Sequence, residues 1–233
     1  MPEFTDEKNP LTLRKDVGWQ VSPLSRDQRE LLNGHKGKVV WLTGLPGSGK
    51  STLAQAVEAN LHRSGFHAIV LDGDNLRHGL CADLGFSADE RNENIRRAGE
   101  VAKLFMMQGT VVLVALVSPI RSAREGVRTS LPAGDFIEVY CNSSLAVCKA
   151  RDPKGMYAQA EKGVIRELTG ISAPYEAPLE PSLVLDTGRE RVDESVDRLM
   201  AFLLPMLVVA NPAAYFRSAN EPIQGVAPVP ARA

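Results

Sequence analysis

The sequence predicts an α/β fold in which a mainly parallel, five-stranded sheet lies between two layers of helices. Three observations support this prediction. From Lys38 onward, short apolar runs alternate with longer amphipathic segments, as expected for repeated strand–helix units. The apolar runs contain few polar residues, which is typical of strands covered on both faces. A glycine-rich turn joins the first run to the first amphipathic segment, as in sheets that bind phosphate at one edge.

The predicted strands are short runs of β-branched and aliphatic residues, a composition that favours strands over helices. They cover residues 39–43, 68–71, 111–117, 136–140 and 183–185. The predicted helices cover residues 50–64, 88–108, 120–130, 145–150 and 192–204. The last helix carries Asp193, Glu194 and Asp197 near its start, where the helix macrodipole favours negative charge.

One domain, residues 38–205, accounts for the whole strand–helix pattern, and 233 residues suffice for such a domain with short flanks. Residues 1–37 form a polar lead-in. Residues 206–233 are rich in Ala and Pro, so we expect a poorly ordered tail. Residues 151–181 show no regular period and are too many for an ordinary loop. We expect a mobile lid there.

Composition and charge disfavour several classes of protein. The formal net charge is −1, so we expect no general attraction to nucleic acid or membranes. The N-terminal residues lack the apolar core of a signal peptide, and the apolar stretch 199–210 is too short to span a bilayer. Cys81, Cys141 and Cys148 lack metal-ligand spacing, so we expect reduced thiols in a cytoplasmic protein.

The glycine-rich turn matches the phosphate-binding motif G-x-x-x-x-G-K-[ST], flanked by a buried strand and an amphipathic helix as the motif requires. Its backbone N–H groups and the helix start would surround the phosphates of a nucleotide. Lys50 would reach the β- and γ-phosphates, and the Ser51 hydroxyl would ligate Mg²⁺. The predicted nucleotide-binding residues are Gly44, Leu45, Pro46, Gly47, Ser48, Gly49, Lys50, Ser51 and Thr52.

The rest of the sequence narrows the class of P-loop protein. A GTPase would carry D-x-x-G after the third strand and N-K-x-D further on, and the sequence has neither at those places. A motor ATPase usually carries an acidic residue at the end of a later strand, which the run 111–117 lacks. The sequence therefore favours a small-molecule kinase with a three-layer P-loop kinase fold and a mobile lid.

Two carboxylates, Asp72 and Asp74, follow the second predicted strand, at the edge where open α/β sheets bind ligands. We predict that Asp74 is the base that orients an attacking hydroxyl. Asp72 would support the metal, with Mg²⁺ held through water, although the sequence also allows the two roles to be exchanged. The same residues suit an Asx turn with a helix N-cap, and a turn is compatible with either role.

Several segments, in the same order, closely resemble the adenylylsulfate (APS) kinase family. They are residues 44–52, 72–80, 85–97, 118–124, 151–157, 169–171 and 174–178. The resemblance implies transfer of the γ-phosphoryl group of MgATP to the 3′-hydroxyl of adenosine 5′-phosphosulfate, giving PAPS in sulfate assimilation. It also implies a cytoplasmic homodimer, and it is compatible with a functional association with ATP sulfurylase.

The resemblance also assigns residues to roles. It places Arg151 among the ATP-binding residues, and it places Ser118 on the serine that the family describes as a phosphoserine intermediate. The implied APS-binding residues are Asp74, Arg77, Phe86, Arg91, Asn94, Val117, Ser118, Lys154 and Leu168.

The chemistry of these residues suits an anionic purine nucleotide. Arg91 and Asn94 are three residues apart on a predicted helix, so they share one face and can grip one anion. The planar guanidinium of Arg77 suits sulfate or phosphate. Phe86 can stack on a purine ring, although its residue type alone favours a core position. No obvious general base accompanies Ser118 in the sequence, and direct in-line transfer needs no covalent intermediate, so we expect Ser118 to contact substrate off the main reaction path.

Three residues depart from the pattern that family members often show. Glu161 replaces a basic residue, Val164 differs in the same segment, and Leu168 stands where Phe is common. We interpret these departures as tuning of the affinity for APS. Two alternatives stay open: a P-loop kinase for another small hydroxyl acceptor, and a catalytically weak nucleotide-binding module with a regulatory role. The intact Lys50 and Asp74 disfavour the second.

Overall fold

The structure, a computed structural model that describes residue 20 and residues 22–209, contains a five-stranded sheet in which every pairing is parallel. The strands are β1 Lys38–Thr43, β2 Ala68–Asp72, β3 Val111–Ala115, β4 Phe136–Cys141 and β5 Leu183–Leu185. Their order is β2-β3-β1-β4-β5, which makes β1 the central strand. The predicted three-layer α/β fold is confirmed.

Helices connect these strands and cover both faces of the sheet. Within the described residues they are α1 Arg26–Asn33, α2 Lys50–Arg63, α3 Gly73–Arg77, α4 Ala88–Met107, α5 Arg121–Thr129, α6 Leu145–Arg151, α7 Met156–Glu161 and α8 Val192–Leu207. Alternate residues of β1 serve the two faces, as the period of a strand requires. Val40 and Leu42 pack with α2 and α8, whereas Val39 and Trp41 pack with α4 and α5.

Three helices, α1, α3 and α7, fall outside the sequence predictions. Helix α1 lies within the polar lead-in and begins with a capping box, in which Ser25 and Gln28 each accept a hydrogen bond from the other's backbone N–H. Its Arg26 forms an ion pair with Asp135, just before β4, so this part of the lead-in packs on the sheet. Helix α3 is a short turn of helix after β2, and α7 lies in the predicted lid.

Two elements end more than one residue away from their predicted ends. Strand β3 ends at Ala115 rather than at residue 117, and α8 continues through Pro205 to Leu207 rather than ending at residue 204. Leu203 and Leu207 are fully buried one turn apart, and this burial offsets the backbone hydrogen bond that Pro205 cannot donate. Residues 1–19, 21 and 210–233, which include most of the predicted tail, lie outside the described residues, and the domain limits stay a prediction.

All three cysteines are free thiols buried in the protein interior, as expected. Within the described part of the chain, no helix combines the length and the apolar character that crossing a membrane requires.

Candidate active site

The polar ends of three neighbouring strands meet at one edge of the sheet. The glycine-rich loop follows β1, Asp72 ends β2, and Val117 and Ser118 lie just beyond β3. Because β3 pairs with both β1 and β2 and all strands run in the same direction, these segments are adjacent. The predicted nucleotide-binding and acceptor-binding residues therefore come together, as expected at the carboxyl edge of a parallel sheet.

Glycine is required in the loop because its backbone lies against the end of β4 and against α6. A Cβ atom at Gly44 would lie 2.6 Å from the carbonyl oxygen of Cys141. Gly47 has a φ of 75°, and a Cβ atom there would lie 3.1 Å from the carbonyl oxygen of Cys148. A side chain at either position would displace the loop from the start of α2.

Lys50, the first residue of α2, is buried under the loop. Its Nζ donates hydrogen bonds to the carbonyl oxygens of Gly44 at 3.0 Å and Leu45 at 2.8 Å. Burial lowers the pKa of Lys50 to about 8, because these carbonyl groups compensate only partly for the lost hydration of the ammonium group. An anion bound in the loop would supply the missing counter-charge.

Ser51 and Asp72 are in direct contact. The Ser51 hydroxyl donates a hydrogen bond of 2.6 Å to Oδ2 of Asp72. Oδ1 of Asp72 accepts the backbone N–H of Asp74 at 2.9 Å and caps α3, so the predicted N-cap is present. Hydroxyl and carboxylate oxygens are the hard ligands that Mg²⁺ prefers. The described residues contain no group of three or more His, Cys, Asp or Glu side chains that could hold a metal.

A cavity of about 590 Å³ opens over the loop. Its walls include residues 46–52, Asp72, Asp74, Arg151 and Lys154, all predicted site residues. Arg151 also donates a hydrogen bond of 2.7 Å to the carbonyl oxygen of Thr187. The wall that follows β5 was not predicted from the sequence; it is formed by Thr187, Glu190, Val192 and Ser195. The sequence did contain a signal for this wall: β5 was a predicted parallel strand, and residues that follow such a strand lie at the ligand-binding edge of the sheet.

A second cavity of about 620 Å³ adjoins the first. It contains most of the predicted acceptor-binding residues: Asp74, Arg77, Phe86, Arg91, Asn94, Val117, Ser118 and Leu168. The remaining one, Lys154, lines the first cavity. Asp74 and Val117 belong to the walls of both cavities. Asp74 therefore lies where molecules in the two cavities would meet.

The lid contacts this meeting point through Lys154, which forms an ion pair with Asp74. Both side chains are more than half exposed. Exposed ion pairs contribute little to stability, so either partner can be exchanged at small cost.

Phe86 borders the second cavity and is 62% exposed, so the core position favoured by its residue type is wrong. The guanidinium carbon of Arg77 lies 4.3 Å from the ring centroid. Nη1 of Arg77 donates hydrogen bonds to the carbonyl oxygens of Leu84 at 3.0 Å and Gly85 at 2.7 Å. Arg77 thus supports the ring by a cation–π contact and is itself held by the backbone.

Arg91 joins α4 to the lid. Its Nε donates to the carbonyl oxygen of Phe86 at 2.6 Å, its Nη1 to the Thr169 hydroxyl at 2.6 Å, and its Nη2 to the carbonyl oxygen of Glu167 at 2.5 Å. The predicted grip of Arg91 and Asn94 on one anion therefore requires that the lid release part of the Arg91 guanidinium.

Asn94 is a buried amide on the wall of the second cavity. It is 1% exposed, and neither its Oδ1 nor its Nδ2 has a hydrogen-bond partner among the described residues. A buried polar group without a partner costs about 1–3 kcal/mol. Such a cost at a cavity wall indicates that the cavity accommodates a polar ligand.

Ser118 lies on the same wall, is 2% exposed, and has an unusual φ of 38°. Its hydroxyl accepts a hydrogen bond from Trp41 Nε1 at 3.0 Å and donates one to the carbonyl oxygen of Leu116 at 3.3 Å. A serine nucleophile needs a base that takes its proton. Among the described residues the only acceptor of this proton is a carbonyl oxygen, which cannot act as the base. The hydroxyl is therefore suited to shaping the cavity wall rather than to nucleophilic attack.

The departures in the lid fall in different places. Glu161 forms an exposed ion pair of 3.1 Å with Lys149 of α6, and it is not part of the wall that the described residues form around the second cavity. Val164 and Leu168 do line that cavity. The change at position 161 therefore leaves the wall unaltered, whereas positions 164 and 168 set its apolar surface.

Comparison with known proteins gives consistent matches. The sequence model of the family described as adenylylsulphate kinase matches residues 36–186. An adenylyl-sulfate kinase of Prochlorococcus marinus is 49% identical over 194 residues, which are 83% of this chain and 96% of that protein. An adenylyl-sulfate kinase of Shewanella amazonensis is 51% identical over 188 residues, 81% of this chain and 95% of that protein.

A solved structure agrees with these matches. The Mycobacterium tuberculosis APS kinase CysC, in complex with AMPPNP and APS, superposes with a TM-score of 0.70 at 48% sequence identity. The superposition covers 72% of this chain and 98% of that chain.

Proposed function

Because the chain belongs to the adenylylsulphate kinase family, we propose that the first cavity holds MgATP, that the second holds APS, and that Asp74 lies between the reacting groups. The activity is ATP-dependent phosphorylation of the 3′-hydroxyl of APS, which gives PAPS in sulfate assimilation. The observation that supports the placement of the substrates is the pair of adjoining cavities that share Asp74.

The nucleotide phosphates lie on the glycine-rich loop, where backbone N–H groups and the start of α2 favour negative charge. Lys50 exchanges its carbonyl partners for oxygens of the β- and γ-phosphates and stabilises the charge of the transferred group. Arg151 and Thr187 lie further along the same cavity, where the nucleoside part of ATP would be placed.

Mg²⁺ is the metal that the donor atoms of this site suit best. Ser51 would ligate the ion directly and Asp72 through water, because the two side chains are already in contact. When bound, the ion neutralises charge on the phosphates. Asp72 also bonds the backbone N–H of Asp74, so the residue beside the metal site fixes the turn that carries the base.

The acceptor cavity offers a group for each part of APS. Phe86 presents an exposed ring on which the purine can stack, with Arg77 supporting it. The unpartnered amide of Asn94 offers both a donor and an acceptor. The Arg91 guanidinium, once released by the lid, can bond an anionic oxygen of APS.

The reaction is a direct in-line displacement. The 3′-hydroxyl oxygen of APS forms a bond to the γ-phosphorus while Asp74 accepts the hydroxyl proton. The bond between the γ-phosphorus and the bridging oxygen of ADP breaks in the same step. Lys154 leaves Asp74 and pairs with the transferred phosphoryl group. The route needs no covalent enzyme intermediate, in keeping with the engaged hydroxyl of Ser118.

We also propose that the protein is a cytoplasmic homodimer whose substrate is supplied by an ATP sulfurylase. Light scattering on the purified protein tests the assembly, because a dimer has twice the 25.3 kDa mass of one chain. A mass of one chain at micromolar concentration would contradict the dimer.

A coupled assay that measures ADP release tests the function. Turnover with APS, and not with nucleosides or sugars, supports the proposal. Turnover only with another hydroxyl acceptor would select the alternative kinase, and nucleotide binding without turnover would select a regulatory module.

The loop assignment has its own test. Lys50→Ala should lower transfer by about 10²-fold or more while the protein stays folded, because it removes charge stabilisation rather than core. Lys36→Ala changes an exposed lysine outside the described cavity walls and should have no effect. Near-normal transfer by the Lys50 variant would exclude Lys50 from the reaction.

A further inference from the structure

Arg124 of α5 is a buried arginine that holds three separate segments together. It is 2% exposed, and the walls that the described residues form around the two cavities do not include it. Its Nε donates to Glu138 Oε1 in β4 at 2.6 Å, its Nη1 to the carbonyl oxygen of Ser118 at 2.6 Å, and its Nη2 to the carbonyl oxygen of Glu176 at 2.8 Å. The planar fork of a guanidinium can serve three acceptors in this way.

The first of the segments is the turn after β3. Ser118 has a φ of 38°, a conformation that residues other than glycine seldom adopt without support from their surroundings. Trp41 holds the Ser118 side chain, and Arg124 holds its carbonyl oxygen. Val117 and Ser118 form part of the acceptor-cavity wall, so the conformation of this turn sets the shape of the wall.

The second segment is the C-terminal end of the lid. The backbone N–H of Glu176 donates to the carbonyl oxygen of Pro119 at 2.8 Å, and Glu176 Oε2 accepts the backbone N–H of Arg121 at 2.8 Å. The Tyr175 hydroxyl lies 3.0 Å from the Thr43 hydroxyl, at the end of β1. The lid end and the turn after β3 are therefore bonded to each other as well as to Arg124.

We propose that Arg124 is a positioning residue for the acceptor: its guanidinium fixes the turn at Val117–Ser118 and the lid end as one unit and so controls APS affinity without touching APS. The inference rests on the proposed function in placing APS in the second cavity. The competing interpretation is that Arg124 serves only as the buried ion-pair partner of Glu138.

The two interpretations predict different KM values for variants of Arg124. Arg124→Lys retains a positive charge for Glu138 but cannot reach all three acceptors. We expect its KM for APS to rise about tenfold, because the turn at Val117–Ser118 and the lid end are no longer fixed as one unit, with the KM for ATP little changed. Arg128→Lys is the matched control, because Arg128 donates to the other carboxylate oxygen of Glu138 at 2.7 Å from the same helix. Its KM for APS should equal that of the wild type.

A second variant covers the case in which the lysine variant does not fold. Arg124→Met combined with Glu138→Leu removes both buried charges together, which a protein core often tolerates. It should fold and show the same selective rise in KM for APS. An unchanged KM for APS in a folded variant, equal rises in both KM values, or failure of both variants to fold would overturn the proposal. Absence of APS turnover in the wild type would instead overturn the proposed function.

Discussion

Nucleotide affinity should fall as the pH rises from 7 to 9, because Lys50 loses its proton in the free protein over this range. Burial lowers the pKa of Lys50 to about 8. With that value, about 90% of free molecules carry the ammonium group at pH 7 and about 10% at pH 9. Bound phosphates supply counter-charge and raise the pKa, so the protonated form is the one that binds well.

The direction in which pH changes the nucleotide affinity follows from this rise in the pKa of Lys50 on binding. The pKa of Lys50 is higher in the complex than in the free protein, so its contribution to binding is fully present below pH 8. That contribution is lost as the pH rises through 8 toward the pKa of the complex. From pH 7 to pH 9 the association constant should therefore fall about tenfold, equivalent to ~1.4 kcal/mol.

Titration calorimetry with a non-hydrolysable ATP analogue and magnesium, at constant ionic strength, measures the affinity at each pH. Lys50→Arg is the matched control, because a guanidinium group stays protonated throughout this range. Its affinity should be nearly independent of pH, whatever its value at pH 7. A wild-type affinity that stays constant would refute the reasoning, and an equal fall in the arginine variant would assign the titration to another group.

Three further predictions concern the acceptor side. Asp74→Asn should lower kcat by about 10²–10⁴-fold with an unchanged KM for ATP in steady-state assays, since it removes the proton acceptor; a normal kcat would exclude Asp74 as the base. Asn94→Leu should raise the free energy of unfolding in urea by about 1–2 kcal/mol and also raise the KM for APS, because two unpartnered polar atoms are removed. A loss of stability would mean that the amide is already bonded. Ser118→Ala should retain substantial turnover in the same assay, because its hydroxyl is engaged by Trp41 and Leu116; complete loss with normal APS binding would place Ser118 on the reaction path.

The sheet could be predicted from the sequence because its strands are buried on both faces and so read as uninterrupted apolar runs. The short helices α1 and α7, of eight and six residues, could not be predicted in this way, because a hydrophobic period is recognised over windows of about 11–18 residues. For α1 a local signal was present, since Ser25 and Gln28 have the spacing of a capping box. Helix α7 has no side-chain cap, and Tyr157 holds it to the loop by a hydrogen bond to the Pro46 carbonyl oxygen.

The two halves of the candidate site also differ in how far they could be predicted from the sequence. The nucleotide loop is contiguous, so its chemistry could be predicted from one motif and its flanking elements. The acceptor side depends on contacts between distant segments, such as Arg91 with Thr169 and Lys154 with Asp74, which no local pattern shows. Phe86 was assigned to the site only by family resemblance, because its exposure depends on how residues 84–87 pack beside Arg77.

These contacts have a consequence for selectivity. In the free protein Lys50 is bonded to loop carbonyl groups, Arg91 to the lid and Lys154 to Asp74. Each of these three cations thus has a partner within the chain that a substrate must replace. Binding then exchanges one set of hydrogen bonds for another, so each contact adds only modestly to affinity.

The same exchange discriminates strongly between acceptors. A molecule that lacks an anionic group can give the released Arg91 guanidinium only neutral acceptors, which form weaker hydrogen bonds than an anionic oxygen does. Tyr157 and Tyr175 meanwhile stay bonded to the glycine-rich loop and to the end of β1, so they hold the lid on both sides of the Arg91 contact. The release of Arg91 by the lid is thereby confined to the segment between these two anchors, whereas Lys154 lies before Tyr157 and is exchanged separately.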